Sequence, residues 1–334
     1  MSTKTPDRQQ AHPDGSAVAL AAPDRRGPGG VPAPARAGRR FTRQSAAGDV
    51  VLAYLARQTA RLKALDPLVR RDEPDSVHQM RVAARRLRGT LQAYPAILPR
   101  PATQHLRDEL KWLGGVLGEA RDGEVLSDYL LTRLAGLPPE LVLGPAQART
   151  RAHFAPRQAS ARGAVLDALN SARYFTLLAD LDRLLADPPL TAAAAEPAGE
   201  VLPRAIARAY RRTKRRMRRA RQAAPGAGRD IALHETRKAA KRARYAAEAA
   251  EPALGRKAHR FARRMKTVQS TLGDQHDAVN AQVAAREIGV RAHLAGENAF
   301  TFGLLVERSA DDSATQQDRT RRAWKRIKRP KSLG

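Results

Sequence analysis

The chain has 334 residues, and its 61 lysines and arginines outnumber its 33 acidic residues, which gives a formal net charge of +28 and a pI near 11.4. A charge this large indicates a polyanionic partner and argues against an ordinary metabolic enzyme. Cysteine is absent, which excludes disulfides, thiolate nucleophiles and cysteine-based zinc sites. The sequence has neither a signal-peptide core nor an apolar run of about eighteen residues, so we expect a cytoplasmic protein that does not insert into membranes.

The predicted elements begin after a segment rich in Pro, Gly, Ala and Arg. Residues 1–40 lack apolar periodicity, so we expect a disordered basic arm. From Phe41 onward helix formers dominate, and this pattern predicts an all-α fold. The predicted helices cover "VVLAYLARQTARLKAL", "DSVHQMRVAARRLRGTLQAY" and residues 102–122, 124–136, 144–170, 171–186, 200–223, 230–250, 253–288 and 298–308. We expect Pro156 to break or kink its helix, residues 187–200 to join two halves, and residues 309–334 to form a flexible or partly helical basic tail.

Two blocks of sequence recur at nearly the same offset. "VHQMRVAARRLR" begins at Val77 and "LHETRKAAKRAR" begins at Leu233, and their histidines and basic residues align without a gap at an offset of 156. "LGEARD" at 117–122 matches "LGDQHD" at 272–277 at an offset of 155. Repetition at a fixed offset indicates a duplicated architecture. We therefore predict two copies of one helical unit, at about residues 44–190 and 196–308.

In each copy a histidine begins a stripe of basic residues spaced i, i+3, i+7 and i+10. On an α-helix these positions lie within about 80° of one another and extend over about 15 Å. The preceding helix of each copy adds arginines on a helical period. Guanidinium groups donate paired hydrogen bonds to phosphate oxygens, so repeated stripes predict a ligand with repeated phosphates. The stripes are His78, Arg81, Arg85, Arg88 and His234, Arg237, Lys241, Arg244, and the added arginines are Arg57, Arg61 and Arg204, Arg208, Arg211, Arg215, Arg218.

Over about residues 44–308 these features resemble the CHAD family, the conserved histidine α-helical domain. The resemblance implies two four-helix bundles related by a pseudo-twofold axis, with basic residues lining a central cleft or pore. It also implies binding of inorganic polyphosphate and, for some members, a location at polyphosphate granules. The ligand contacts that it implies are the two stripes, together with Lys111, Lys266 and basic residues of the opening helices, here Arg57, Arg61, Arg208, Arg211 and Arg215. We expect no attached triphosphate-tunnel (CYTH) domain, and hence no catalytic role taken from one.

The sequence leaves the role of each histidine open. His78 and His234 either contact the ligand or make a structural hydrogen bond, for instance to Asp122 or Asp277. These carboxylates either orient the stripe arginines or act as ordinary caps or ion pairs. Both histidines have cationic neighbours and lack metal-ligating partners at i+3 or i+4, so we expect no metal and no cofactor.

Nucleic acid is the alternative partner, because its backbone shares the repeated phosphate. With only six Phe, six Tyr and two Trp, the chain has few rings on which bases could stack. A P-loop and a paired acidic metal site are both absent from the sequence, which argues against an enzyme. We therefore predict noncatalytic binding of polyphosphate.

Overall fold

The computed structural model describes residues 40–224 and 226–327, which form nine α-helices joined by short connections. Apart from two 3-10 turns at Pro139–Leu141 and Ala192–Ala194 and an isolated bridge between Ala46 and Pro197, these described residues contain no other regular element. The predicted all-α fold is confirmed. The predictions for residues 1–39 and for the end of the basic tail, at 328–334, lie outside the described residues.

Most helices end close to the predicted positions, and three predictions differ. Helix α3 continues through Gly123, where a break was predicted, because buried Leu117 and Leu130 on either side offset the cost of about 1 kcal/mol for a helical glycine. Helix α4 continues through Pro156, so the predicted break is wrong and the alternative of a kink stays a prediction. The last helix extends well beyond residue 308. The helices are α1 Ala47–Arg70, α2 Ser76–Ala93, α3 Arg100–Ala135, α4 Ala146–Asn170, α5 Ala172–Ala186, α6 Ala198–Gln222, α7 Ala227–Leu254, α8 Arg256–Leu294 and α9 Phe300–Lys325.

The helices pack in two consecutive series, α1 to α4 and α6 to α9, in which each helix contacts the next one in the chain. Helix α5 covers α1, α3 and α4, and α2 packs against α7 between the two series. Most buried side chains belong to one core shared by both series. A second, smaller core joins the far parts of α3, α4, α8 and α9 around Leu130, Phe154, Ile288 and Phe302.

Small residues allow α2 and α7 to approach closely. A Cβ atom placed on Gly89 of α2 would lie 2.5 Å from Cδ2 of Tyr245 on α7, so only glycine fits there. The Tyr94 hydroxyl donates a hydrogen bond to the Ala246 carbonyl across the same contact. The buried face of α7 is otherwise almost entirely alanine, at positions 239, 240, 243, 246, 247, 249 and 250. This contact brings the two basic stripes together.

Gly89 and Tyr245 are 156 residues apart, the same offset that separates the two stripes. Residues at equivalent positions of the two copies therefore meet at the α2–α7 contact. The arrangement of two bundles about a pseudo-twofold axis stays a prediction. Within the residues that the structure describes, no helix is long and apolar enough to cross a membrane.

Candidate functional site

Four basic side chains converge where α2 and α7 pack together. We call Arg81, Arg85, Arg237 and Lys241 the central cluster. Burial, and next the charges of Arg237, Arg85 and Arg81, lower the pKa of Lys241 to about 6. Burial also lowers the pKa of Arg85, where the charges of Arg81 and Arg237 act in the same direction. Partly buried cations that depress one another's pKa values in this way form a strongly positive site for an anion.

Arg81 and Arg237 occupy matching positions in the two halves. Nη2 of Arg81 lies 3.1 Å from the point where a Cβ on Gly118 would stand, and Nη2 of Arg237 lies 3.1 Å from the same point on Gly273. Each guanidinium therefore crosses a neighbouring helix at the glycine of its "LG" block. The repeated glycine is explained by this close passage, because a larger residue would push the guanidinium aside.

Replacing both glycines by alanine is expected to change the stability of the fold and the affinity for the ligand in opposite directions. In Gly118→Ala/Gly273→Ala the helix propensity of alanine should raise the free energy of unfolding by about 1 kcal/mol per site, less any strain from the tight contact. Displacement of the two guanidinium groups should weaken polyphosphate binding by about tenfold. Denaturant unfolding and a binding titration measure the two effects.

Gly114→Ala/Gly115→Ala is the matched control on α3, since nothing lies within 4 Å of a Cβ at either position. It should keep the gain in stability and leave affinity unchanged. Equal affinities for the two double variants would contradict the assigned role of Gly118 and Gly273.

Few carboxylates lie near the central cluster, and they differ in how far they are buried. Asp122 accepts a hydrogen bond from Nη1 of Arg81 at 2.9 Å, and its side chain is 72% exposed. Burial raises the pKa of Asp277, against the opposing charge of Arg237. Asp122 thus forms an ion pair with a stripe arginine, which is one of the roles that the sequence left open. The contact is exposed to solvent, so an incoming phosphate could replace it.

Both stripe histidines lie beside the cluster with a ring nitrogen that has no partner in the described structure. Nδ1 of His78 and Nδ1 of His234 are buried without a hydrogen bond. Burial is the largest cause that lowers the pKa of each imidazole, and neighbouring cations contribute. Among the described contacts, neither ring bonds to Asp122 or Asp277. The two carboxylates named from the sequence are thus not partners of the histidines, and both a ligand contact and another structural role stay predictions for His78 and His234.

The last residues of the two stripes, Arg88 and Arg244, differ in their ion pairs. Arg244 donates to Glu248 at 2.5 Å and to Gln269 at 3.3 Å, and Glu248 also accepts from Nε of Arg86 at 3.0 Å. Arg88, at the equivalent position of α2, forms no ion pair among the described residues, and burial lowers its pKa. Arg244 thus shares the carboxylate of Glu248 with Arg86, so this group of three side chains keeps one positive charge. By contrast, Arg88, unpaired in the described part of the chain, has the charge of Asp108 nearby.

Helix α6 contributes two arginines that the sequence reasoning missed. Burial lowers the pKa of Arg242 on α7, and the charges of Arg212, Arg216 and Arg88 lower it further, so these cations lie close together. Arg216 bonds to Glu235, and at the equivalent positions of the first half Arg61 bonds to Gln79 at 3.0 Å. Applying the offset of 155 to Arg57 and Arg61 would have found Arg212 and Arg216.

The other predicted contacts lie farther out. Arg57 is exposed, with its guanidinium carbon 5.1 Å from the centroid of the Tyr54 ring. It lines a separate open cleft of about 430 Å³ with Glu248 and His259. Arg208, Arg211 and Arg215 lie on the exposed face of α6, and Lys111 and Lys266 are exposed on α3 and α8. Arg107, which the sequence reasoning also missed, lies near Arg88 with its buried Nε unbonded.

Taken together, the described residues form a concentration of positive charge suited to binding an anion that carries many charges. No group of three His, Cys, Asp or Glu side chains that could hold a metal ion occurs among them. The cationic neighbours of His78 and His234 would oppose a metal at either histidine.

A family profile and relatives of known sequence match most of the chain. A profile of the CHAD domain matches residues 53–286. The uncharacterized proteins MT2285 and Rv2226, from two strains of Mycobacterium tuberculosis, are each 37% identical over 266 residues, which is 79% of this chain and 50% of the relative. The chain thus spans about half the length of these curated relatives.

Two solved structures share the fold. PptA from Streptomyces chartreusis is 22% identical, with a TM-score of 0.70 over 84% of this chain and 100% of its own. The CHAD domain from the plant Ricinus communis is 24% identical, with a TM-score of 0.68 over 87% of this chain and 96% of its own. The chain belongs to the CHAD domain family.

Proposed function

We propose that the chain binds inorganic polyphosphate, without cleaving or making it, at the central cluster. The observation that carries the proposal is the convergence of Arg81, Arg85, Arg237 and Lys241 in one partly buried site. Cations held this close repel one another, and an anion with closely spaced charges relieves that repulsion. A chain of phosphates supplies such charges at every unit, which matches two stripes better than a single phosphate does.

Burial of the aromatic residues favours polyphosphate over nucleic acid. Stacking on exposed rings gives single-stranded nucleic acid much of its affinity for proteins. Among all Phe, Tyr and Trp side chains, only Phe175 and Phe300 are largely exposed, at 55% and 49%, and neither belongs to a stripe. The central cluster thus offers phosphate contacts without surfaces for bases.

A competition titration distinguishes the two partners. Long-chain polyphosphate bound to the protein is displaced with single-stranded or double-stranded nucleic acid at physiological salt. We expect polyphosphate to bind at least about tenfold more tightly per phosphate than nucleic acid does. A partly buried cluster of guanidinium groups attracts both polymers by charge, but a thin phosphate chain reaches it more easily than a chain that carries bases. Preferential binding of nucleic acid would overturn the proposal.

Binding to polyphosphate also suggests where the protein acts. We propose that it is cytoplasmic and associates with polyphosphate granules through the central cluster. Fluorescence microscopy of the tagged chain tests this, since a variant with a disrupted central cluster should lose colocalisation with the granules.

A further inference from the structure

The solvent-facing side of α6 carries a row of arginines that does not belong to the central cluster. The opposite side of the helix is buried through Val201, Leu202, Ile206, Tyr210 and Met217, and this fixes which residues face solvent. We call Arg208, Arg211, Arg215 and Arg218 the outer ridge; all of them are exposed. At a rise of 1.5 Å per residue the outer ridge extends over about 15 Å.

The outer ridge has almost no acidic counterpart. None of its members forms an ion pair among the described residues, whereas the preceding Arg204 pairs with Glu200 at 3.3 Å. Like charges three or four residues apart destabilise a helix by a few tenths of a kcal/mol for each pair. A role in folding therefore does not account for the outer ridge.

The equivalent helix of the first half has only one basic residue at the four matching positions. The positions 155 residues earlier, on α1, are Ala53, Ala56, Ala60 and Lys63. Helix α5 packs on α1, and Lys63 is paired with Asp182 of α5 at 2.6 Å. Helix α1 therefore folds without an arginine row at these positions.

The outer ridge is connected to the central cluster by intervening cations. Arg212 and Arg216 lie on α6 between the outer ridge and α7, and both are close enough to Arg242 of α7 to interact with it electrostatically, as is Arg88 of α2. Arg88 is one helical turn from Arg85 of the central cluster. At the other end of the site Arg244 shares the carboxylate of Glu248 with Arg86. Because Arg216 is itself paired with Glu235, the positive charge that continues from the central cluster toward α6 is carried by Arg88, Arg242 and Arg212.

We propose that the outer ridge is a second binding segment, onto which a polyphosphate chain anchored in the central cluster extends. This inference rests on the proposed function. The outer ridge would then select for chain length, because only a chain long enough to reach α6 gains its contacts. Tripolyphosphate would occupy the central cluster alone.

The test compares chain lengths in Arg208→Gln/Arg211→Gln/Arg215→Gln/Arg218→Gln. The affinity for long-chain polyphosphate should fall by about tenfold, and the slope of log K against log salt concentration should become shallower by about 3. The affinity for tripolyphosphate should change by less than about twofold, since a short chain does not reach the outer ridge. The charge-matched control replaces four exposed arginines of α4 and α8 by glutamine, namely Arg151, Arg157, Arg286 and Arg291.

Three results would overturn the inference: unchanged long-chain affinity, an equal loss for both chain lengths, or the same long-chain loss in the control. A loss confined to duplex nucleic acid would assign the outer ridge to that partner instead, and would also overturn the inference. Failure of the proposed function gives a separate signature, because wild-type protein would then bind neither polyphosphate.

Discussion

Charge reversal of Arg81 and Arg237 together should abolish retention of long-chain polyphosphate and leave the helical circular dichroism intact. Each guanidinium is expected to supply a charge-assisted contact of about 1.5–3 kcal/mol, so removing both costs at least about a hundredfold in affinity. The introduced carboxylates would also pair with Arg85 and Lys241 and occupy the cluster internally. The fold should persist because both side chains cross the helix surface instead of filling the core.

Retention on immobilised polyphosphate measures the first effect, and far-UV circular dichroism with denaturant unfolding measures the second. Arg151→Glu/Arg157→Glu on α4 is the control, since it changes the net charge by the same amount on exposed positions. Undiminished retention by Arg81→Glu/Arg237→Glu would show that the central cluster is not the binding site. Loss of helicity in that variant would require the glutamine pair to be measured in its place.

Polyphosphate affinity should depend on pH through Lys241. Because the pKa of this lysine is lowered to about 6, it is mostly neutral at pH 7 in the free protein. Adjacent phosphate oxygens would raise the pKa again, so binding takes up a proton. Affinity should therefore fall as the pH rises above about 6, by up to about tenfold per pH unit until the pKa of the bound state is reached. Below about pH 6 the lysine is charged in both states, and its contribution should level off.

Titrations between about pH 5.5 and 8.5, in buffers of different ionisation enthalpy, measure both the slope and the proton uptake. Lys241→Arg is the matched variant, since a guanidinium stays charged over this range, and it should bind with a reduced slope. Any slope that remains belongs to other titratable groups near the cluster, which include His78 and His234. A slope that is the same in wild type and Lys241→Arg would contradict the assignment to Lys241.

Helix periodicity predicted the elements that carry the site, and it failed where tertiary packing overrides local signals. The stripe helices were recognisable because their apolar and basic positions share one period. Gly123 and Pro156 carry strong local signals for breaks, yet both lie inside helices. The glycine costs about 1 kcal/mol, which burial of the leucines on either side of it can offset. The proline costs about 3 kcal/mol or more, and it lies between the buried Phe154 and Ala161 of α4.

The charge pattern identified the stripes but not their surroundings. The repeat offset contained the information needed to choose Arg212 and Arg216 on α6. The pairing of Arg244 with Glu248 has the i, i+4 spacing that sequence can indicate, whereas Arg86 reaches the same carboxylate from 162 residues away. The low pKa of Lys241 depends on burial and on cations from a second helix, and no local pattern encodes either.

The alanine face of α7 has a consequence for how a ligand is accommodated. Residues such as Ala240, Ala243 and Ala247 are fully buried against neighbouring helices, and a helix seated on methyl groups at close range cannot shift without steric overlap. The backbone under the central cluster is therefore preorganised, and only the ends of long side chains adjust. In the proposed complex the polymer, and not the protein, changes conformation, so the entropy lost on binding is mostly that of the phosphate chain.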